Sequence, residues 1–227
     1  MNNTATAHQA WDQAWQTDEG RAGWLQPEPD VVQLAGSLRI QGKKTALDLG
    51  CGVGRHALAM AALGFDTTAF DASSAGLSEV EKGAAALGLT LKTAQGDMSE
   101  LPFKDDAFDY VLSFNVIYHG DETVLCKTIA EITRVLKPGG IYQGTMLSKR
   151  RFDYGVGNEI SPNTWVQPNG SGDKSHPHYF CDGRECLDLF SDFEVWSLKD
   201  VDHKYDDEEK KGSWHWHLVA QNNKHLI

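Results

Sequence analysis

The chain has 227 residues, which suits one domain that buries its own core without disulfide staples. A net charge of −11 argues against a nucleic acid backbone as the main partner, although Lys149, Arg150 and Arg151 form a local basic patch. No apolar run approaches the roughly 20 residues that span a bilayer, and Met1 to Gln9 has neither the basic segment nor the apolar core of a secretory signal.

The four cysteines, Cys51, Cys126, Cys181 and Cys186, contain no CxxC pair, so reduced thiols and a cytoplasmic setting are expected. Residues 1–29 read as an N-terminal cap segment closed by Pro27 and Pro29, with Trp11 and Trp15 on one helix face. Asp30 can cap a helix to about Gln41, with Val31, Leu34 and Leu38 as its apolar stripe. Thr45-Ala-Leu-Asp-Leu49 reads as a strand running into glycines, followed by a helix over 54–63 that Gly64 closes. Asp66 to Phe70 is a second strand ending at Asp71, and residues 73–87 a second helix ending at Gly88.

Further strands are predicted at Thr90 to Ala94, Asp109 to Ser113 and Ile141 to Leu147. Residues 121–136 carry Val124, Leu125, Ile129, Ile132 and Leu136 at helical spacing, stopped by Lys137-Pro-Gly-Gly140. Residues 148–180, rich in Gly, Pro, Asn and His, read as an irregular functional insert, too long for an idle connection. A helix at about 182–190, a strand near 193–199 and a last strand from Trp214 to Gln221 complete the order. The acidic run Asp206 to Glu209, followed by Lys210 and Lys211, reads as a solvated loop. No helix fits between the last two strands, so they should pair as a hairpin. Strands alternating with helices predict an α/β, Rossmann-like three-layer fold. Its sheet should be mostly parallel and seven-stranded, with one antiparallel strand at the C-terminal end.

The chemistry starts at Gly50-x-Gly52-x-Gly54. A strand, a glycine turn and a helix make a nucleotide-type site, because glycines admit close backbone approach and the helix start offers free N–H groups. The spacing is not the dinucleotide fingerprint G-x-G-x-x-G, and no phosphate-loop lysine motif occurs. Asp48 stands two residues before the first glycine, where it would repel a pyrophosphate but favour a ligand with an ammonium and a sulfonium. Asp71, ending the second strand, can accept hydrogen bonds from a ribose diol.

With Ala46-Leu-Asp-Leu-Gly-Cys-Gly-Val-Gly-Arg-His56, Phe70-Asp-Ala72, Gly96-Asp-Met98, Phe108-Asp-Tyr-Val-Leu-Ser-Phe-Asn115 and Val135-Leu-Lys-Pro-Gly-Gly140, the chain resembles class I methyltransferases dependent on S-adenosylmethionine (SAM). The resemblance spans residues 30–221 and makes 30–227 the methyltransferase domain. It implies that Asp48, Gly50, Cys51 and Gly52 face the amino acid part of SAM, that Asp71 and Ala72 hold the ribose, and that Asp97 and Met98 flank the adenine. Asn115 would line the methionine side. The product would be S-adenosylhomocysteine.

Acceptor-side residues must lie at strand C-termini or in the segments covering them. Tyr118 and His119, just after Asn115, are the catalytic candidates, with His119 as a possible base. Trp11, Trp15, Arg151, His178 and Tyr179 are the substrate-side candidates, with Asn163 and Trp165 also in the insert. A metal site from His176, His178, His215 and His217 is set aside, because the spacing lacks carboxylate or cysteine company; no metal is expected.

Gly144-Thr-Met-Leu-Ser-Lys-Arg-Arg151, Asn158-Glu-Ile-Ser-Pro-Asn163, His178-Tyr-Phe180 and Ser213-Trp-His-Trp-His217 resemble small bacterial methyltransferases of the tellurite-resistance type. That implies a small-molecule acceptor, such as a thiol or a chalcogen oxyanion. A SAM-binding protein without catalysis and an NAD(P)-binding oxidoreductase are the alternatives. No nucleic acid or membrane partner is expected; the oligomeric state stays open.

Overall fold

The computed structural model describes residues 5–203 and 212–224, so the acidic run 206–209 with Lys210 and Lys211 lies outside the described residues. Three helices come first: α1 (His8–Ala14), α2 (Asp18–Ala22) and α3 (Pro29–Ile40). There follow β1 (Thr45–Leu49), α4 (Arg55–Ala62), β2 (Asp66–Asp71), α5 (Ser74–Leu87), β3 (Lys92–Gln95), β4 (Phe108–Ser113), α6 (Glu122–Val135) and β5 (Leu136–Ser148). The insert holds β6 (Asn158–Ser161), β7 (Thr164–Val166), a 3-10 turn (Gly172–Ser175) and β8 (His178–Cys181). The chain closes with α7 (Gly183–Leu189), β9 (Phe193–Asp202) and β10 (Trp214–Asn222).

Local sequence explains the boundaries. Ser73 accepts from the Gly76 N–H and Asp121 from the Val124 N–H, so each caps the helix that follows it. α6 places Leu125, Ile129, Ile132 and Val135 on one buried face. β1 is buried from Ala46 through Leu49, as a parallel strand covered on both faces must be.

The main sheet runs β3-β2-β1-β4-β5 in parallel, and β10 then adds antiparallel to β5 and to β9. The mostly parallel order and the β9–β10 hairpin match the sequence expectation, whereas among the described residues the sheet has ten strands in place of seven, because β8, β7 and β6 extend it beyond β5 with further antiparallel pairs. The order reverses between β1 and β4, and in such sheets ligands bind at that point, beyond the strand carboxyl ends. The glycine turn after β1 and the Asn115 loop after β4 therefore face each other there.

The segment 148–180 is more regular than predicted. β8 pairs in parallel with the end of β5, Leu147 opposite Phe180, while β7 pairs antiparallel with both β8 and β6. Strands of 4, 3 and 4 residues are too short to display a period in sequence. The Tyr179 N–H donates to the Tyr118 carbonyl at 2.9 Å, which fastens the insert to the loop after β4.

Candidate active site

Gly50 has φ +72° and Gly52 φ +52°, both in the left-handed region. A Cβ on Gly50 would stand 2.4 Å from the Val116 methyls, and one on Gly52 3.1 Å from the Trp15 ring. Only glycine lets the two loops and the covering tryptophan approach this closely. The Gly50 and Cys51 N–H groups donate to the Phe70 carbonyl at 2.7 and 3.0 Å. Gly52 N–H donates to Asp71 Oδ2, and Ser73 N–H to Asp71 Oδ1, both at 2.8 Å. Asp71 thus pins the turn as well as facing the cavity. Burial raises its pKa, and the N–H groups of Ser73, Gly52 and Ala72 pull it back down.

Asp48 is placed differently from the sequence expectation. It is 2% exposed and lies behind the turn, off the cavity wall, where the Ala57 N–H meets its carboxylate. Asp48 Oδ2 has no hydrogen-bond partner among the described residues. Burial pushes its pKa up to about 7, against the opposing pull of Ala57 and Arg55. The glycine turn thus lies between its carboxyl group and the cavity.

The cavity measures about 350 Å³, within the roughly 300–1,000 Å³ usual for cofactor and small-ligand sites. Gly50, Cys51, Gly52, Asp71 and Ala72 form one wall, and Asp97 and Met98 another. Asp97 Oδ1 accepts from the Ser99 N–H and hydroxyl, each at 2.8 Å. Burial raises the Cys51 thiol pKa, so it stands as a neutral wall group.

Asn115 also lines the cavity and has φ +62°, a conformation asparagine tolerates better than most residues. Thr145 holds it there: Asn115 N–H donates to Thr145 Oγ1 at 2.8 Å, and that hydroxyl donates to Asn115 Oδ1 at 3.0 Å. Thr145 was not visible as a site residue in sequence, because it lies 30 positions away on β5. His119 lines the cavity beside Val116. Burial pushes its pKa down to about 4 despite the Asp173 carboxylate, so its ring is neutral at pH 7.

Residues 46–140 match the family model for a methyltransferase domain. This segment is a methyltransferase domain, and its fold is shared with SAM-dependent methyltransferases. Over 115 residues the chain is 34% identical to a sterol 24-C-methyltransferase of Gibberella zeae, covering 48% of this chain and 29% of that enzyme. The chain spans about half or less of the length of the curated relatives it matches first. A SAM-dependent methyltransferase of Methanosarcina mazei shares the fold with TM-score 0.70 at 20% identity, covering 87% of this chain and 99% of that one. TehB of Haemophilus influenzae shares it with TM-score 0.64 at 18% identity, covering 86% and 62%.

SAM is the methyl donor of this class, and the domain's cleft fits it. The glycine cradle would be filled by a Cβ at Gly50 or Gly52, and the buried Asp48 behind it keeps one carboxyl oxygen without a partner among the described residues. Over the cleft sits a tryptophan cluster. Trp11 stacks on Trp15 at 4.9 Å, and Trp24 meets both rings edge-on; all three line the cavity. Trp24 was missed in sequence because it lies on no common helix face with the other two. Asp12 docks α1 by accepting from the Ser73 hydroxyl at 2.7 Å and the Ala75 N–H at 3.1 Å.

Four acceptor-side candidates lie off the cavity lining of the methyltransferase domain. Tyr118 and Tyr179 are 5% and 3% exposed and belong to the core cluster. Arg151 is committed to Asp153 at 2.6 Å, Ser213 Oγ at 3.1 Å and His215 Nε2 at 3.2 Å, so it ties the insert to β10 instead of facing an anion. His178 stands behind His119, their ring centroids 4.9 Å apart. Of the remaining insert residues, Asn163 Nδ2 donates to Glu185 Oε1 at 3.1 Å, and the half-buried Trp165 meets the Tyr154 ring edge-on.

Proposed function

We propose that the protein transfers a methyl group from SAM to a small-molecule acceptor that meets the donor between Asn115, His119 and the tryptophan cluster. The observation that carries this is the Asp71-pinned glycine turn opening on one cavity that His119 also reaches. When bound, SAM supplies a sulfonium whose methyl group moves in line to a nucleophile, S-adenosylhomocysteine being the leaving group.

The protein's own work is to bind, align and exclude water. Asp71, with Ala72 beside it, accepts from the ribose hydroxyls through lone pairs that Gly52 and Ser73 leave over. Gly50, Cys51 and Gly52 present backbone to the amino acid part, and Asp48 supports its ammonium from behind. Asp97 accepts from the adenine amine while Met98 packs on the ring. Asn115, fixed by Thr145, orients the methionine side. His119, neutral at pH 7, takes the proton of an acceptor that arrives protonated. Trp11 and Trp15 close the cleft over the donor.

Residues 1–29 then act as a cap on a methyltransferase domain at 30–227, with 148–180 as the acceptor-side insert. A thiol or chalcogen oxyanion is the acceptor class we favour, supported by the small cavity and by the fold shared with TehB. The net charge of −11 supports a partner other than nucleic acid. Among the described residues no helix is long and apolar enough to cross a membrane; we place the protein in the cytoplasm. Calorimetry with SAM, S-adenosylhomocysteine and NADH tests the donor. Tight NADH binding without SAM binding would overturn the reading in favour of an oxidoreductase.

A further inference from the structure

Three chain-distant side chains meet beside the cavity, where His119 reaches its wall. His119 Nε2 lies 3.6 Å from Asp173 Oδ2, and His178 Nε2 lies 3.4 Å from the same oxygen. The three donor atoms all fall within 4.8 Å of one another. They come from the loop after β4, the 3-10 turn of the insert and the first residue of β8. The carboxylate missing from any sequence arrangement of histidines is thus supplied by Asp173, and the second imidazole by a residue 59 positions before His178.

The hydrogen-bond pattern gives each imidazole a backbone carbonyl as its second partner. His178 Nδ1 is 2.8 Å from the His176 carbonyl, which can only accept, so Nδ1 donates there. His178 Nε2 is left 3.4 Å from Asp173 Oδ2, the oxygen that both imidazoles share. The His119 ring has the Val116 carbonyl as a further partner while its Nε2 is aimed at the same oxygen. A backbone carbonyl fixing one imidazole nitrogen so that the other can ligate is the usual outer support of a metal-bound histidine. Two imidazoles and a carboxylate are a ligand set for first-row divalent metals that leaves positions open. Ligands about 2.0–2.2 Å from zinc stand roughly 3.0–3.5 Å apart, close to the separations found here.

We propose that His119, Asp173 and His178 form a binding site for a divalent transition-metal ion beside the cavity. Of the three, His119 lines the cavity, so the site adjoins it. With the ion bound, His119 would serve as a ligand in place of a base: a thiol or hydroxyl held there would lose its proton to solvent under the pull of the ion, and an oxyanion, already deprotonated, would only be oriented. That use of the site rests on the methyl-transfer reading: the acceptor–methyl bond forms as the SAM sulfur–methyl bond breaks. The site itself does not depend on that reading.

A second histidine group, around His203 and His217, provides the control. Their Nε2 atoms are 2.6 Å apart, a hydrogen-bond distance that leaves no room for an ion between them, and Arg151 occupies His215 Nε2. The test is calorimetric titration of the chelator-stripped full chain with Zn²⁺, together with the visible absorption of bound Co²⁺, both without SAM. One ion per chain is expected. His178→Ala and the near-isosteric Asp173→Asn should weaken binding at least about 10-fold and alter the Co²⁺ spectrum, while His217→Ala should change neither. SAM affinity, measured on each variant, confirms that it is folded. Absence of stoichiometric binding, unchanged binding in folded Asp173→Asn, or loss of binding in His217→Ala would overturn the proposal. Metal binding without methyl transfer to any acceptor would count against the enzymatic reading and leave the site intact.

Discussion

Two carboxylates near the glycine turn carry different loads. Asp71 accepts from Gly52 N–H and Ser73 N–H, so it shapes the turn that it also helps to fill. Each charged hydrogen bond contributes about 1.5–3 kcal/mol. Asp71→Ala should therefore weaken SAM binding by about 10- to 100-fold; unchanged affinity in calorimetry would remove Asp71 from the ribose role. Asp48, by contrast, is held near pKa 7 by burial. A cationic ligand beyond the turn favours its ionised form, so its pKa is lower in the complex than in the free protein. SAM binding should then release protons near pH 7, and affinity should rise with pH through about 7 and level off above it. Calorimetry in buffers of differing ionisation enthalpy measures that release. Asp48→Asn should abolish it; an equal release in the variant would assign the proton elsewhere. The sequence pointed to both residues, but not to Asp48 lying behind the turn, since a strand pattern gives no depth.

Among the elements, α1 has the clearest functional consequence. It is short, with no buried residue within its span, and its hold on the body comes from Asp12 and from Trp15 at its end. Trp15 lies against Gly52 and Gly76, so its removal opens the cleft and loosens α1 together. Trp15→Ala should cost about 10-fold in SAM affinity, equivalent to roughly 1.4 kcal/mol, whereas Trp196→Ala, at a half-exposed ring on β9, should leave it unchanged. Equal effects of the two substitutions would show that Trp15 does not cover the donor. The pair Trp11 and Trp15 was legible from its spacing. The insert was not, because its order comes from pairing with β5 and from the Tyr118 carbonyl, contacts between residues far apart in the chain. For the same reason Arg151 read as a substrate-side candidate, whereas its guanidinium is a strut to Ser213 and His215.

The whole molecule is an alternation of strands and helices that the sequence announces through its glycine stops and apolar runs. The β9–β10 hairpin followed from the absence of a helix between two strands, and β10 duly runs antiparallel beside β5. The molecule also buries imidazoles in the neutral state. Burial lowers His56 and His215 to about 3 and His217 to about 4, while the unfolded chain titrates near 6.5. The unfolded state thus binds more protons in that window, so stability is full above about pH 6.5 and is lost as pH falls toward 4. Asp48 and Asp71, raised by burial, act in the opposite sense but are fewer. Thermal melts should show Tm falling from pH 7 to pH 4, with a shallower slope in His56→Gln, whose amide oxygen can still accept from the Glu28 N–H. A Tm that rises on acidification would contradict the sign.

Transfer of label from methyl-labelled SAM tests the enzymatic account most directly, with thiols, phenols, amines and metalloid oxyanions offered as acceptors to the full chain. Label in a thiol or oxyanion product, with an equal amount of S-adenosylhomocysteine released, is the predicted result. SAM bound in calorimetry but no label moved to any acceptor class would contradict it and leave a SAM-binding protein without catalysis.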